Sequence, residues 1–126
     1  MSHTHRDLVV WQEAKGLAVS IYKISESFPK HEIYGLTSQI RRAAVSIVSN
    51  IAEGQGRLTR GEFVQFLGQA RGSLLELLTQ LEIAVALGYV SIPDFTTLEI
   101  KASTVLRLLN GLMGSIRAKT KTAGAT

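Results

Sequence analysis

Residues 35–57 read GLTSQIRRAAVSIVSNIAEGQGR, and the spacing within them decides the fold. Ile40, Ala43, Ala44, Ile47 and Ile51 recur at steps of three and four, which gathers them on one apolar helix face. Gln39, Arg42, Ser46, Asn50 and Glu53 recur at the same steps and share a second face. A solvated face is commonly built from long, interchangeable charged chains. This one mixes amide, guanidinium, hydroxyl and carboxylate instead. Two readings fit: a hydrogen-bonded network inside a bundle or interface, or a plainly exposed amphipathic helix. Ala43 and Ala44 are small enough for a neighbouring helix to approach closely. Gly54 is expected to stop the helix, because glycine reaches the left-handed conformation without a side-chain clash.

Working back from this helix, the first helix is expected to start near Leu8 to Val10 and end around Ser27. Its apolar stripe is Trp11, Ala14, Leu17, Ala18, Ile21 and Ile24, with Tyr22 at the edge. Phe28-Pro29 breaks it, since the residue before proline is disfavoured in the α region. Lys30 to Tyr34 forms a short connection. Working forward, Gly54 and Gly56 permit a tight reversal, and Thr59-Arg60-Gly61-Glu62 matches a capping box. Helix three spans roughly Arg60 to Leu87, with Phe63, Phe66, Leu67, Ala70, Leu74, Leu77, Leu78, Leu81, Ala84 and Val85 facing the core. Gly68 and Gly72 each cost up to about 1 kcal/mol relative to alanine. The periodicity continues through both, which predicts close helix contact there. Ser73, Glu76 and Gln80 repeat the mixed polar stripe, and an Arg42–Glu76 contact is one pairing it allows. Gly88 closes helix three. Ser91-Ile92-Pro93-Asp94 opens helix four, whose apolar pattern runs to Ile116 before a basic tail from Lys119 that is expected to fray.

Four amphipathic helices with short links predict an all-α fold, an antiparallel up-down-up-down four-helix bundle. Residues 1–7 are read as a flexible lead, 8–119 as the bundle and 120–126 as a flexible basic tail. At 126 residues and 45% apolar composition, one domain with a real core is expected. The absence of cysteine excludes disulfides and thiolate metal sites. No secretory leader and no membrane span is recognised, so a cytoplasmic protein without a membrane partner is the expectation. Leucines 74, 75, 77, 78 and 81, then 106, 108, 109 and 112, cover more than one stripe, which predicts a homo-oligomer.

At SQIRRAAVSIVSNIAEGQGR the chain strongly resembles the four-helix-bundle family of proteins encoded within intervening sequences of bacterial 23S ribosomal RNA genes. The likeness extends to DLVVWQEA, FPKHEIYGL and EFVQFLGQARGSLLELLTQLEIAVALGY, and continues more weakly into helix four. It implies a cyclic homopentamer. The accessory variability proteins of diversity-generating retroelements look like a related branch, and these associate with reverse transcriptase and nucleic acid. The family pattern places recurrent polar positions on Gln39, Arg42, Ser46, Asn50 and Glu53, with Arg57, Ser73 and Glu76 beyond. Many relatives carry a proline where this chain has Val48, so a straighter helix is expected here.

The formal charge of +4 permits a nucleic-acid partner without requiring one. The leading expectation is a non-enzymatic oligomeric adaptor that binds RNA or a nucleic-acid-associated protein. Its candidate phosphate contacts are Arg57, Arg60, Arg107, Arg117, Lys119 and Lys121. For each, simple surface exposure or a cation near a helix C-terminus is the plainer alternative. A structural protein-interaction ring is the second expectation, with Gln39, Arg42, Ser46, Asn50, Glu53, Ser73 and Glu76 fixing helix register or subunit orientation. No catalytic residue, cofactor or metal is expected: there is no Glu-x-x-His pair, cysteine nucleophile or phosphate-cradling glycine loop. His3 and His5 lack further ligands, and His31 stands alone in a polar connection.

Overall fold

The computed structural model describes the backbone of residues 4–125 and the side chains of residues 4–119. His3 and the side chain of Lys121, one of the expected phosphate contacts, lie outside the described residues. Four helices account for the fold: α1 (Val9–Ser25), α2 (Leu36–Gln55), α3 (Arg60–Ala86) and α4 (Ile92–Ala125), with 3-10 turns at His5–Asp7 and Lys30–Glu32. α1 packs on α2 and α4, and α3 packs on α2 and α4, so α1 and α3 stand diagonally across the bundle. Cross-helix contacts give the direction of each helix. Ser25 at the end of α1 meets Arg41 near the start of α2. Phe63 and Phe66 at the start of α3 pack on Gly54 at the end of α2. Lys101 in the first part of α4 reaches Ser20 on α1. The order is antiparallel, up-down-up-down.

The core follows the predicted periodicity. Leu17, Ile21, Ile40, Ile47, Ile51, Leu67, Leu74, Leu77, Leu81, Val105 and Leu109 are fully buried. Ala14, Ala43, Ala44, Ala70, Ala84 and Ala102 are buried among them and let the helices approach closely. Trp11, Ile24, Phe63, Leu78, Val85, Phe95 and Leu112 sit at the margin of the core rather than inside it.

The helix ends show how local chemistry sets the boundaries. Thr59 caps α3 by accepting the Glu62 backbone N–H at 3.1 Å, and its hydroxyl donates to the Glu62 carboxylate at 3.1 Å. Ser91 accepts the Asp94 N–H at 3.3 Å to open α4. Gly88, at φ +79°, ends α3 in a Schellman turn: Tyr89 N–H donates to Ala84 C=O at 2.8 Å and Gly88 N–H to Val85 C=O at 2.9 Å.

Three glycines depart from expectation. Gly54 does not stop α2, which runs on to Gln55 and is capped by Gly56 in a right-handed conformation. A Cβ at Gly54 would lie 2.8 Å from the Phe66 Cβ and 3.2 Å from the Phe63 carbonyl. The residue is there because α3 leaves no room for a side chain. Gly68 and Gly72 show the reverse: a Cβ at either would meet nothing within 4 Å in the chain. Periodicity locates a glycine on a helix but does not say which neighbour, if any, stands opposite it. Past Lys119, α4 remains helical to Ala125, since nothing in that stretch breaks the hydrogen-bond ladder. The lead is also structured from Thr4 on: Thr4 caps the first turn together with Asp7, and the His5 and Trp11 rings meet edge-on with centroids 4.9 Å apart.

Candidate functional site

The antiparallel order sorts the polar residues into two ends and a middle. The start of α1, the α2–α3 turn and the C-terminal part of α4 share one end. It carries Arg6, Arg57, Arg60, Arg117 and Lys119, all exposed. At the turn the backbone is held from below. Gly54 seats α2 against Phe63 and Phe66, and the Arg57 guanidinium lies 4.5 Å from the Phe66 ring centroid. Leu58, between the two turn arginines, is 100% exposed. Arg60 is the first residue of α3. Arg107 lines a groove near this end, where α4 meets Leu8 and Val9 at the start of α1.

The opposite end joins the α1–α2 connection to the α3–α4 connection. Tyr89 donates its hydroxyl to Glu32 at 3.0 Å, and the other Glu32 oxygen accepts the Leu36 N–H at 3.2 Å. The Leu36 N–H first, then the Tyr89 hydroxyl and the nearby His31, hold the Glu32 carboxyl below its ordinary range. The same hydrogen bond to Glu32 pushes the Tyr89 phenol up. Tyr89 also packs on Phe28, with ring centroids 5.5 Å apart. Exposed His31 lies 3.5 Å from the Tyr89 hydroxyl. Gly35 is needed here, because a Cβ would sit 2.7 Å from the Glu32 carboxylate.

Between the ends, the mixed polar stripe divides. Ser46 and Ser73 share a hydrogen bond of 2.8 Å across α2 and α3, and the Asn50 amide donates to the Ser46 hydroxyl at 3.0 Å and carbonyl at 2.9 Å. Gln39, Arg42 and Glu53 are exposed. Glu76 accepts from Gln80 at 3.2 Å, a bond within α3, in place of the Arg42 contact that the spacing allows. The arginine that ties helices together is its neighbour. Arg41 donates to the Ser25 hydroxyl at 2.8 Å and the Tyr22 carbonyl at 3.3 Å, with its guanidinium 4.8 Å from the Tyr22 ring centroid. One residue is 100° of helix rotation, enough to move a side chain from the α3 margin of α2 to the α1 margin.

Arg41, Glu32 and Tyr89 are the contact residues that sequence reasoning missed. Each pairs across a helix junction. The one available signal was Tyr89, which directly follows the helix-ending Gly88, a position that often packs back on its helix. No cluster of three or more His, Cys, Asp or Glu side chains able to hold a metal occurs among the described residues. No helix among them is long and apolar enough to cross a membrane.

Comparison with known proteins agrees with this architecture. The fold is similar to the crystal structure of a protein of unknown function from the S23 ribosomal protein family of Bacteroides thetaiotaomicron VPI-5482. That likeness has a TM-score of 0.78 at 21% identity, covering 84% of this chain and 96% of that one. No curated protein matches the chain. Residues 6–111 match the 23S rRNA-intervening sequence protein family, spanning all of α1 to α3 and more than half of α4, and the chain belongs to that family.

Proposed function

We propose that this chain is a non-enzymatic, self-associating bundle whose basic end contacts the phosphate backbone of RNA. The observation that carries the reading is the placement of Arg60 and Arg57. A cation at a helix N-terminus opposes the macrodipole and works against stability. Arg60 is the first residue of α3, and Arg57 stands three residues before it, stacked on Phe66. A position unfavourable for the helix is favourable for attracting an anion, because the N-terminal end of a helix and a guanidinium draw negative charge together. Arg117 and Lys119 lie ahead of the last turn of α4, which has no basic residue, so a C-terminal dipole effect does not account for them. Repetition of this end around an oligomer, with a pentamer expected from the family resemblance, multiplies a weak patch into avidity.

Retention of the protein on single-stranded RNA across a salt titration tests the reading. Phosphate-driven binding gives a linear fall of log affinity with log salt, and loss of both turn arginines lowers the slope by about 2 at most. Retention that is flat across the titration overturns it. A second reading, a protein-interaction ring without nucleic acid, draws support from the open apolar groove between α1 and α2, lined by Val19, Tyr22 and Val45. Recovery of one protein partner from cells, unchanged by nuclease, favours that second reading.

A further inference from the structure

The connection between α1 and α2 borders a cavity of about 120 Å³, at the end of the bundle opposite the Arg57–Arg60 turn. Phe28 and Ile33 give it an apolar wall. Thr37, the second residue of α2, also lines it and is 5% exposed. The Thr37 hydroxyl is hidden from solvent and has no hydrogen-bond partner among the described residues. Glu32, Tyr89, Ser25 and Arg41 at this end are all paired, so Thr37 is the exception. A buried hydroxyl without a partner works against folding, so one that persists calls for an acceptor from outside the chain. Arg41 lines the same cavity. Two of its five N–H donors go to the Ser25 hydroxyl and the Tyr22 carbonyl, which fixes the guanidinium and leaves the others for a ligand. Lys30 and Glu26, both exposed, complete the charged lining.

We propose that this cavity binds a short-chain monocarboxylate, with its carboxylate on Thr37 and Arg41 and its hydrocarbon against Phe28 and Ile33. Charge, size and donor type each select that class. Lys30 and Arg41 against Glu26 give the lining a net charge of +1, which one carboxylate neutralises and a phosphate dianion would overshoot. The Glu32 carboxylate does not line the cavity and is already engaged by the Leu36 N–H and the Tyr89 hydroxyl. The volume holds on the order of four water-sized groups at about 30 Å³ each, which suits an acid of about two to four carbons and not a nucleotide or a peptide. An ionised carboxylate only accepts hydrogen bonds, and the arginine N–H and threonine O–H groups donate to it. Thr37 also lies in the first turn of α2, where the helix dipole favours negative charge. Threonine in a helix divides between two χ1 wells, so at most a rotamer change turns the hydroxyl to the ligand. Water alone would satisfy the hydroxyl without using the charge of the lining.

Ligand-observed proton NMR of sodium propionate with the full chain, at ionic strength held constant with sodium chloride, tests the proposal. Propionate is expected to bind. Propionamide, which has the same shape without the charge, is expected to bind about tenfold more weakly or less. Thr37→Val removes the hydroxyl and keeps the branched side chain, and is expected to weaken propionate about tenfold. Lys30→Gln, at an exposed charge, is expected to weaken it by a smaller factor. Helical circular dichroism checks that both variants fold. The melting temperature of the wild type is expected to rise with propionate and not with propionamide, as binding to the folded chain alone requires. Equal binding of propionate and propionamide, or undiminished binding by Thr37→Val, overturns the proposal. So does tighter binding of inorganic phosphate than of propionate, which would make the anion a different class. The absence of any propionate binding overturns it as well and leaves the cavity to water.

Discussion

The two ends of the bundle use charge in opposite ways. At the Glu32–Tyr89 end, polar groups are used up internally: one carboxylate accepts a backbone N–H and a phenol, and two helix connections are bound to each other. At the Arg57–Arg60 end, the side chains stay exposed while the backbone beneath them is packed tightly around Gly54. The first end holds the fold together. The second is a rigid platform for cations. Rigidity of the backbone and availability of the side chains are separable, and the second end has both. A partner that binds there meets a turn already held in place, which lowers the ordering cost of association.

The comparison can be broken most forcefully at Gly54. Gly54→Val is expected to lower stability by about 1–3 kcal/mol or more, because its side chain collides with Cβ and backbone atoms of α3. Gly68→Ala, where the single chain leaves open space, is expected to raise helix stability by up to about 1 kcal/mol. Thermal melts of the two variants compare them directly, and equal shifts would show that the turn is not held as described. Ser73→Ala, between the ends, is expected to cost about 1 kcal/mol by leaving Ser46 without its cross-helix partner. A denaturant midpoint unchanged from wild type would remove that bond from the account.

Tyr89→Phe is expected to lower stability most near neutrality, between the two titrations it couples, and less at either extreme of pH. Glu32 is depressed in the fold below its ordinary 4.5, so its contribution is present above that value and lost as pH falls through the folded value. Tyr89 is raised above its ordinary 10.0, so its contribution is present below that value and lost as pH rises through the folded value. The variant is expected to remove the Tyr89 part of the alkaline flank of a stability–pH curve. The acid flank flattens only in part, because the Leu36 N–H remains on Glu32. An alkaline flank identical to wild type would refute the Tyr89–Glu32 bond. The smallest effect on folding is expected at the other end. Arg57→Ala with Arg60→Ala leaves stability within about 0.5 kcal/mol, as for surface positions generally, while the salt slope of RNA binding falls. A large loss in the melt would mean that these arginines hold the fold.

Much of this was legible in the chain. The steps from Ile40 to Ile51 and from Leu67 to Leu81 identify helix faces, because side-chain direction repeats every 3.6 residues whatever lies nearby. Thr59, Gly88 and Ser91 mark helix ends because capping is satisfied within a few residues. The mixed stripe from Gln39 to Glu53 was legible as a stripe. Its division into bonded Ser46 and Asn50 and exposed Gln39, Arg42 and Glu53 was not. Nor was the choice of Arg41 over Arg42 as the cross-helix donor, or the meeting of Glu32 with Tyr89.

By itself, then, the sequence determined four amphipathic helices, their caps and their antiparallel order, since these depend on local hydrogen bonding and on links too short for any other path. Tertiary structure alone decided which side chains face one another. Gly54 shows the difference: a glycine near a helix end reads as a stop, yet its reason for being there is the pair of phenylalanines that α3 sets against it. Partners across a helix junction depend on the rotation of two helices about their axes, and that rotation is a property of the packed core, not of either segment.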